Sequence, residues 1–267
     1  TARSVERACN MRRLVSYALV ATLAVSGCSA AASQPPKGQA RATQAQGTGD
    51  AGATAAPEPL RPPAAPVVMV LGDSYTAGIA GTPPEATYIA DAARRLGWQI
   101  IIAGYRGTGF VAKGRVGKAF ATLYEAELAW RPAPYMVMLS GGLNDSSYDP
   151  RLVGAAARRL LAAVQQRWPE TQLVLTGPMW GGDPTPAALR VRNSLKQVAT
   201  ELGIPFIDPL AERWITGNVR RRTGTAARYI RPDGVHPNAA GNRYLAGRLV
   251  ADLRRLGLDQ PVLPVGN

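Results

Sequence analysis

Val67-Val68-Met69-Val70-Leu71-Gly72-Asp73-Ser74 is the stretch on which the fold turns. Its first five residues are all apolar and the run stops at a glycine. A short unbroken run of this kind suits a strand covered on both faces, since a strand with one wet face alternates. Similar runs recur at residues 98–103, 135–139 and 172–176, with a shorter one at 204–207. Between and after them lie stretches with apolar residues at helical spacing, at residues 86–96, 120–130, 151–168, 186–202 and 239–256. Strands that alternate with helices need crossover connections, which make the strands parallel and put helices on both faces. The expected fold is therefore α/β, a three-layer α/β/α sandwich on a central parallel sheet of about five strands. In such open sheets ligands bind beyond the carboxyl ends of the strands, so the loops there are the places to look for chemistry.

The first of these loops is Gly72-Asp73-Ser74-Tyr75-Thr76-Ala77-Gly78. A serine directly after a strand offers its hydroxyl to the crevice, although Ser and Asp also favour helix N-caps. A second loop, Asp233-Gly234-Val235-His236-Pro237-Asn238, precedes the last amphipathic stretch and holds the only histidine of the chain. Any imidazole base must be His236. An aspartate three residues earlier can accept its Nδ1 hydrogen, which fixes the tautomer and leaves Nε2 to accept a serine proton. After the third strand comes Ser140-Gly141-Gly142-Leu143-Asn144-Asp145, whose Asn144 can donate its side-chain amide to a developing oxyanion. After the second comes Gly104-Tyr105-Arg106-Gly107-Thr108-Gly109-Phe110, where a glycine N–H can serve the same oxyanion.

Two other readings fail on spacing. A Walker A phosphate loop needs a first glycine five positions before Gly117-Lys118 and a hydroxyl after it, and those positions hold Ala112 and Ala119. An α/β-hydrolase elbow needs Gly-x-Ser-x-Gly, and the position two after Ser74 is Thr76.

Ser, Gly, Asn and Asp-x-x-His in this order, at three strand ends and before the last helix, resemble the four signature blocks of the SGNH (GDSL-like) hydrolase family. The likeness spans residues 67–257, and Gly142-Leu143-Asn144-Asp145 and Asp233-Gly234-Val235-His236-Pro237 carry it most strongly. The resemblance implies a flavodoxin-like fold with Ser74 as nucleophile and His236 and Asp233 completing a triad. It implies an oxyanion hole from the N–H groups of Ser74 and Gly107 and the Asn144 side chain, with Gly104 and Gly109 competing for the glycine's role. It departs from the family at Tyr75, where leucine is common. The implied reaction is hydrolysis of a carboxylic ester through an acyl-enzyme, with no metal and no cofactor. The substrate would be a lipid, an acetylated carbohydrate or a small ester, and Trp180, after the fourth strand, is a candidate pocket wall. Two alternatives stand beside it: an acyltransferase to a sugar acceptor, and a non-catalytic envelope lipoprotein that uses the fold as a binding module.

The beginning of the chain reads differently. Met11-Arg12-Arg13, the apolar run from Leu14 to Val25 and then Ser26-Gly27-Cys28 have the charged head, short apolar core and small-residue exit of a secretory signal. Residues 1–10 lack that logic and are expected to lie upstream of the natural start. Val25-Ser26-Gly27-Cys28 resembles a bacterial lipobox, which implies lipidation of Cys28 and a protein anchored on the extracytoplasmic face of a bacterial membrane, or secreted if the cysteine stays free. Residues 28–66, rich in Ala, Gln, Gly, Thr and Pro, bury too little apolar surface to fold and are expected to be a tether. The hydrolase domain is expected at 67–258 and a tail at 259–267. With Cys9 and Cys28 the only cysteines, residues 29–267 hold no disulfide, cysteine nucleophile or cysteine metal site.

The 267 residues carry 31 Lys and Arg against 18 Asp and Glu, a net charge of +13. Without residues 1–27 the balance is 27 against 17, or +10. No basic run exceeds Arg220-Arg221-Arg222, and neither an RNA-binding aromatic pattern nor zinc-finger spacing is present, so a nucleic-acid partner is not expected. A monomer is expected.

Overall fold

A computed structural model describes residues 64–262. The signal-like segment, Cys28, residues 28–63 of the expected tether and residues 263–267 of the tail lie outside the described residues.

The sheet has five strands, all parallel: β1 (Val67–Gly72), β2 (Gln99–Gly104), β3 (Met136–Ser140), β4 (Gln172–Thr176) and β5 (Phe206–Ile207), in the order β2-β1-β3-β4-β5. The helices are α1 (Ser74–Ala77), α2 (Tyr88–Leu96), α3 (Phe120–Glu127), α4 (Pro150–Arg167), α5 (Pro186–Glu201), α6 (Ala226–Tyr229) and α7 (Ala239–Arg255). Successive strand residues face opposite ways, so each apolar run feeds two cores. Val68 and Val70 join Met136, Met138 and Val174 in the core beneath α2 and α7. Met69 and Leu71 join Val137, Leu139, Leu173 and Leu175 in the core beneath α3, α4 and α5. This is the three-layer α/β/α sandwich with five parallel strands expected from the sequence.

The elements differ from the sequence reading mainly at their ends, each time for a local reason. The stretch expected as one helix at 86–96 is a 3₁₀ turn, Pro84–Ala86, followed by α2, because Thr87 takes an extended backbone with ψ 163° and donates its hydroxyl to Pro84 O at 2.7 Å. The helix expected to reach Trp130 stops at Glu127, ahead of Arg131-Pro132, where the residue before a proline disfavours helical backbone. The expected strand at 204–207 pairs only through Phe206 and Ile207, since Pro205 has no N–H to give a ladder. The helices α1 and α6, four residues each, are too short to show a period in the sequence.

Chain reversal in the strand order occurs at β1 and β3, and loops leaving the carboxyl ends of adjacent strands diverge there to leave a crevice. Gly72 and Gly104 end β1 and β2 side by side in register. A Cβ on Gly104 would lie 2.0 Å from Gly72 O, and one on Gly72 would lie 2.3 Å from Thr76 Oγ1. Only glycines let these two strand ends and α1 approach so closely.

Candidate active site

Asp73 caps α1 by accepting the Tyr75 N–H at 2.9 Å, which sets Ser74 as the first helical residue. The Ser74 N–H thus has no intrahelical acceptor and is open to a ligand. Ser74 is 6% exposed, so its hydroxyl lies at the floor of the crevice rather than on a free surface.

His236 arrives from the opposite side on the loop between α6 and α7. An antiparallel bridge pairs Ile230 with Pro237, and the Arg231 N–H donates to His236 O at 2.8 Å, which closes the loop at its base. Within it Asp233 Oδ1 accepts the N–H groups of Val235 (2.9 Å) and His236 (3.0 Å), leaving Oδ2 for His236 Nδ1 at 2.9 Å. His236 Nε2 then lies 2.9 Å from Ser74 Oγ. Burial raises the pKa of the Asp233 carboxyl, but the two backbone N–H groups and the His236 ring outweigh that and hold it below the usual carboxylate range. The carboxylate, imidazole and hydroxyl form one continuous chain of hydrogen bonds.

The same crevice receives Asn144 and the loop after β2. Asn144 Nδ2 donates to Thr108 O at 2.9 Å and lies a long 3.5 Å from Asp73 Oδ2, so one of its two hydrogens is well held and the second is weakly engaged. The three glycines of the neighbouring loop separate by what surrounds them. Gly104 is packed on Gly72, a Cβ on Gly109 would lie 2.3 Å from the Asp145 carboxylate, and the Gly109 N–H already donates to Ala112 O at 2.8 Å. Gly107 has φ +77°, a left-handed conformation that favours glycine, and its N–H has no acceptor among the described residues. Trp180 is half-buried and walls a cavity of about 240 Å³ beside Asp233 and Gly234, facing Val219 and Arg220. Cys28 lies outside the described residues.

Three further residues, Asp145, Asp73 and Tyr75, shape the site through contacts the sequence does not show. Asp145, fully buried, accepts the N–H groups of Phe110, Val111 and Ala112, each at 2.9 Å, and so fixes the loop that carries Gly107. Asp73 is buried, and loss of water, with the Asp145 charge nearby, overcomes the Tyr75 N–H and lifts its carboxyl to about 7. Tyr75 donates its buried hydroxyl to Val235 O and so joins the nucleophile's helix to the histidine loop. Burial moves its phenol upward, so it remains a donor. A polar residue next to a motif, at a position expected to be buried, was the available signal for Asp73 and Asp145; nothing in the sequence pointed to a partner for Tyr75.

Residues 70–244, which span all four loops, match the sequence model of the GDSL-like lipase/acylhydrolase family. The chain belongs to this family. GDSL lipase Rv0518 of Mycobacterium tuberculosis (strain ATCC 25618 / H37Rv) is 30% identical, over 68% of this chain and 79% of that protein. Among solved structures, a family two carbohydrate esterase from Clostridium thermocellum superposes with TM-score 0.57 at 18% identity, covering 72% of this chain and 64% of that one. Est24, a carbohydrate acetylesterase from Sinorhizobium meliloti, superposes with TM-score 0.54 at 17% identity, covering 72% and 99%. At these identities the two structures speak for the shared fold. Membership of the GDSL-like family makes the protein a serine ester hydrolase.

Proposed function

We propose that this GDSL-like hydrolase is an exported esterase that cleaves acyl or acetyl esters with Ser74 as nucleophile, His236 as general base and Asp233 as the group that orients it. The observation that carries the reading is the unbroken relay from Asp233 through His236 to Ser74 Oγ, with both links at 2.9 Å. Ser74 Oγ attacks the ester carbonyl as His236 Nε2 takes its proton, giving a tetrahedral oxyanion. The N–H groups of Ser74 and Gly107 and the weakly engaged N–H of Asn144 receive that oxyanion. Collapse expels the alcohol, to which His236 returns the proton, and leaves Ser74 acylated. Water, deprotonated by His236, then attacks the acyl-enzyme and releases the acid. Each proton removed is returned within the cycle, so these groups suffice.

The named activities of the similar proteins, lipase and carbohydrate acetylesterase, support small acyl and acetyl esters as the substrate class. The lipobox-like Val25-Ser26-Gly27-Cys28 supports anchoring through lipidated Cys28 on the outer face of a bacterial membrane. Trp180 serves as a wall for the bound ester.

A fluorophosphonate probe tests the nucleophile. The intact protein should be labelled on Ser74 and should hydrolyse short acyl esters, and Ser74→Ala should lose both while keeping its unfolding midpoint. Stoichiometric labelling that survives Ser74→Ala would sink the assignment. Loss of the base should act as strongly: His236→Gln is expected to lower kcat by about 10⁴-fold with KM little changed, measured on the same ester.

A further inference from the structure

Of the three oxyanion donors, Asn144 has a hydrogen that a neighbouring group can claim. Its Nδ2 carries two hydrogens, and Thr108 O, on a fully buried residue, accepts the first at 2.9 Å. The second is directed at Asp73 Oδ2, 3.5 Å away, so the hydrogen left for a substrate is the one that faces this carboxyl. Asp73 is buried, and the ester cycle gives it no proton to carry. Its Oδ1 accepts the Tyr75 N–H at 2.9 Å, which leaves Oδ2 to act on Asn144.

The surroundings of Asp73 oppose its ionisation. Asp145 faces it from the loop after β3, and the charge there disfavours a second one. Tyr88 faces it from α2, with its hydroxyl donated to Ser140 Oγ at 3.0 Å, and Tyr75 follows it in α1 with its hydroxyl on Val235 O. His236 reaches this neighbourhood through Ser74 Oγ. No lysine or arginine pairs with Asp73 among the described residues. Burial above all, with Asp145 adding to it, lifts the Asp73 carboxyl to about 7. Burial also lifts the phenols, Tyr88 to about 12 and Tyr75 upward as well, so neither changes charge near neutrality.

We propose that Asp73 is a positioning residue that sets the oxyanion hole: protonated, it leaves the second Asn144 hydrogen to the substrate oxyanion; ionised, it takes that hydrogen itself. This rests on the Ser74 ester-hydrolase reading. A charged acceptor binds a hydrogen about twice as strongly as a neutral one, so an ionised Asp73 draws in the Asn144 amide and competes with the oxyanion. A neutral carboxyl keeps its proton on Oδ2, since Oδ1 faces the Tyr75 N–H, and its hydroxyl oxygen competes poorly. Losing an oxyanion donor outright costs about 10²–10³ in kcat, and a donor shared with a carboxylate loses part of that. Acylation and deacylation pass through the same oxyanion, so kcat reports the effect whichever step is slower.

The test follows kcat for a soluble acetate ester from pH 6 to pH 9 in the full chain, with circular dichroism to show that each sample is folded. Wild type should stay within about threefold of Asp73→Asn at pH 6 and fall about tenfold behind it by pH 9, with KM little changed in either. Taking the ratio at each pH cancels the rise that both enzymes share as His236 loses its proton. Asn144→Ala should lose about 10²-fold in kcat, and adding Asp73→Asn to it should gain nothing at pH 9, because no hydrogen is left to contest. If Asp73→Asn does not fold, Asp73→Ser, which also caps a helix and carries no charge, takes its place with the same expectation. A ratio that stays level from pH 6 to pH 9, or a gain that persists in the Asn144→Ala background, would overturn the proposal while leaving the esterase intact. If folded wild-type enzyme cleaves the ester at none of these pH values, the Ser74 reading fails first and the proposal with it.

Discussion

Asp73 is buried between the nucleophile and Asn144, with its carboxyl lifted to about 7 mainly by loss of water. An acid whose pKa is raised in the folded state stabilises the fold fully below its unfolded value, about 3.8, and loses that contribution as pH rises through about 7. The wild-type protein should therefore lose stability from this group between about pH 4 and pH 7, with a ceiling of roughly 4 kcal/mol. Asp73→Asn keeps an N-cap acceptor and removes the titration. It should be more stable than wild type at pH 8 and no more stable at pH 4, as read from urea unfolding midpoints at the two pH values. A parallel shift at both would contradict the assignment. Tyr75 offers a second prediction of this kind. Tyr75→Phe strips the donor from the partly buried Val235 carbonyl and frees the loop that presents His236. Stability should fall by about 1–2 kcal/mol. If the hydroxyl also aligns the base, kcat should fall about tenfold at unchanged KM, because a small misplacement of a catalytic group acts on the chemical step rather than on binding.

The loop after β2 shows the same dependence one level up. Its Gly107 N–H is presented by a turn that Asp145 holds through three backbone hydrogen bonds, beside the packing of Phe110 against Phe120. Asp145→Asn turns one carboxylate oxygen into a donor facing N–H groups. It should destabilise the fold by about 3 kcal/mol and lower kcat as well, seen as a lower midpoint with weaker ester turnover. This element also marks where sequence reading stops. Strands covered on both faces must be apolar throughout, so β1 to β4 stand out as runs, and the helices stand out by their period. Asp233 and His236 are legible together because they stand only three positions apart in the sequence. The Asp145 bonds reach donors 33 to 35 residues away, and those donors are backbone groups, which leave no mark on residue identity. The choice of Gly107 over Gly104 and Gly109 is equally invisible, since it depends on a positive φ and on which neighbours a Cβ would strike. Nor does a local pattern say which strands are neighbours, so the order β2-β1-β3-β4-β5 comes only from the assembled sheet.

At the scale of the whole molecule, two jobs fall to separate parts of the chain. Both cores and the Ser74–His236–Asp233 relay lie within residues 64–262, and no cysteine follows Cys28, so this part needs no disulfide to be stable in an oxidising compartment. Export and anchoring, as proposed, belong to the residues up to Cys28 and the tether. If the division is real, changing the anchor should move the enzyme without altering its chemistry. Each acyl chain contributes about 0.8 kcal/mol per buried CH₂, so more than one chain on Cys28 would keep the protein on a membrane through washing, and an unlipidated chain would come free. Cys28→Ala should accordingly shift the protein from the membrane pellet to the soluble fraction of a bacterial host, while kcat/KM for a soluble acetate ester stays at the wild-type value with or without reducing agent. A protein that pellets equally after the substitution would remove Cys28 as the anchor. A loss of kcat/KM on release would mean that the membrane surface takes part in the site.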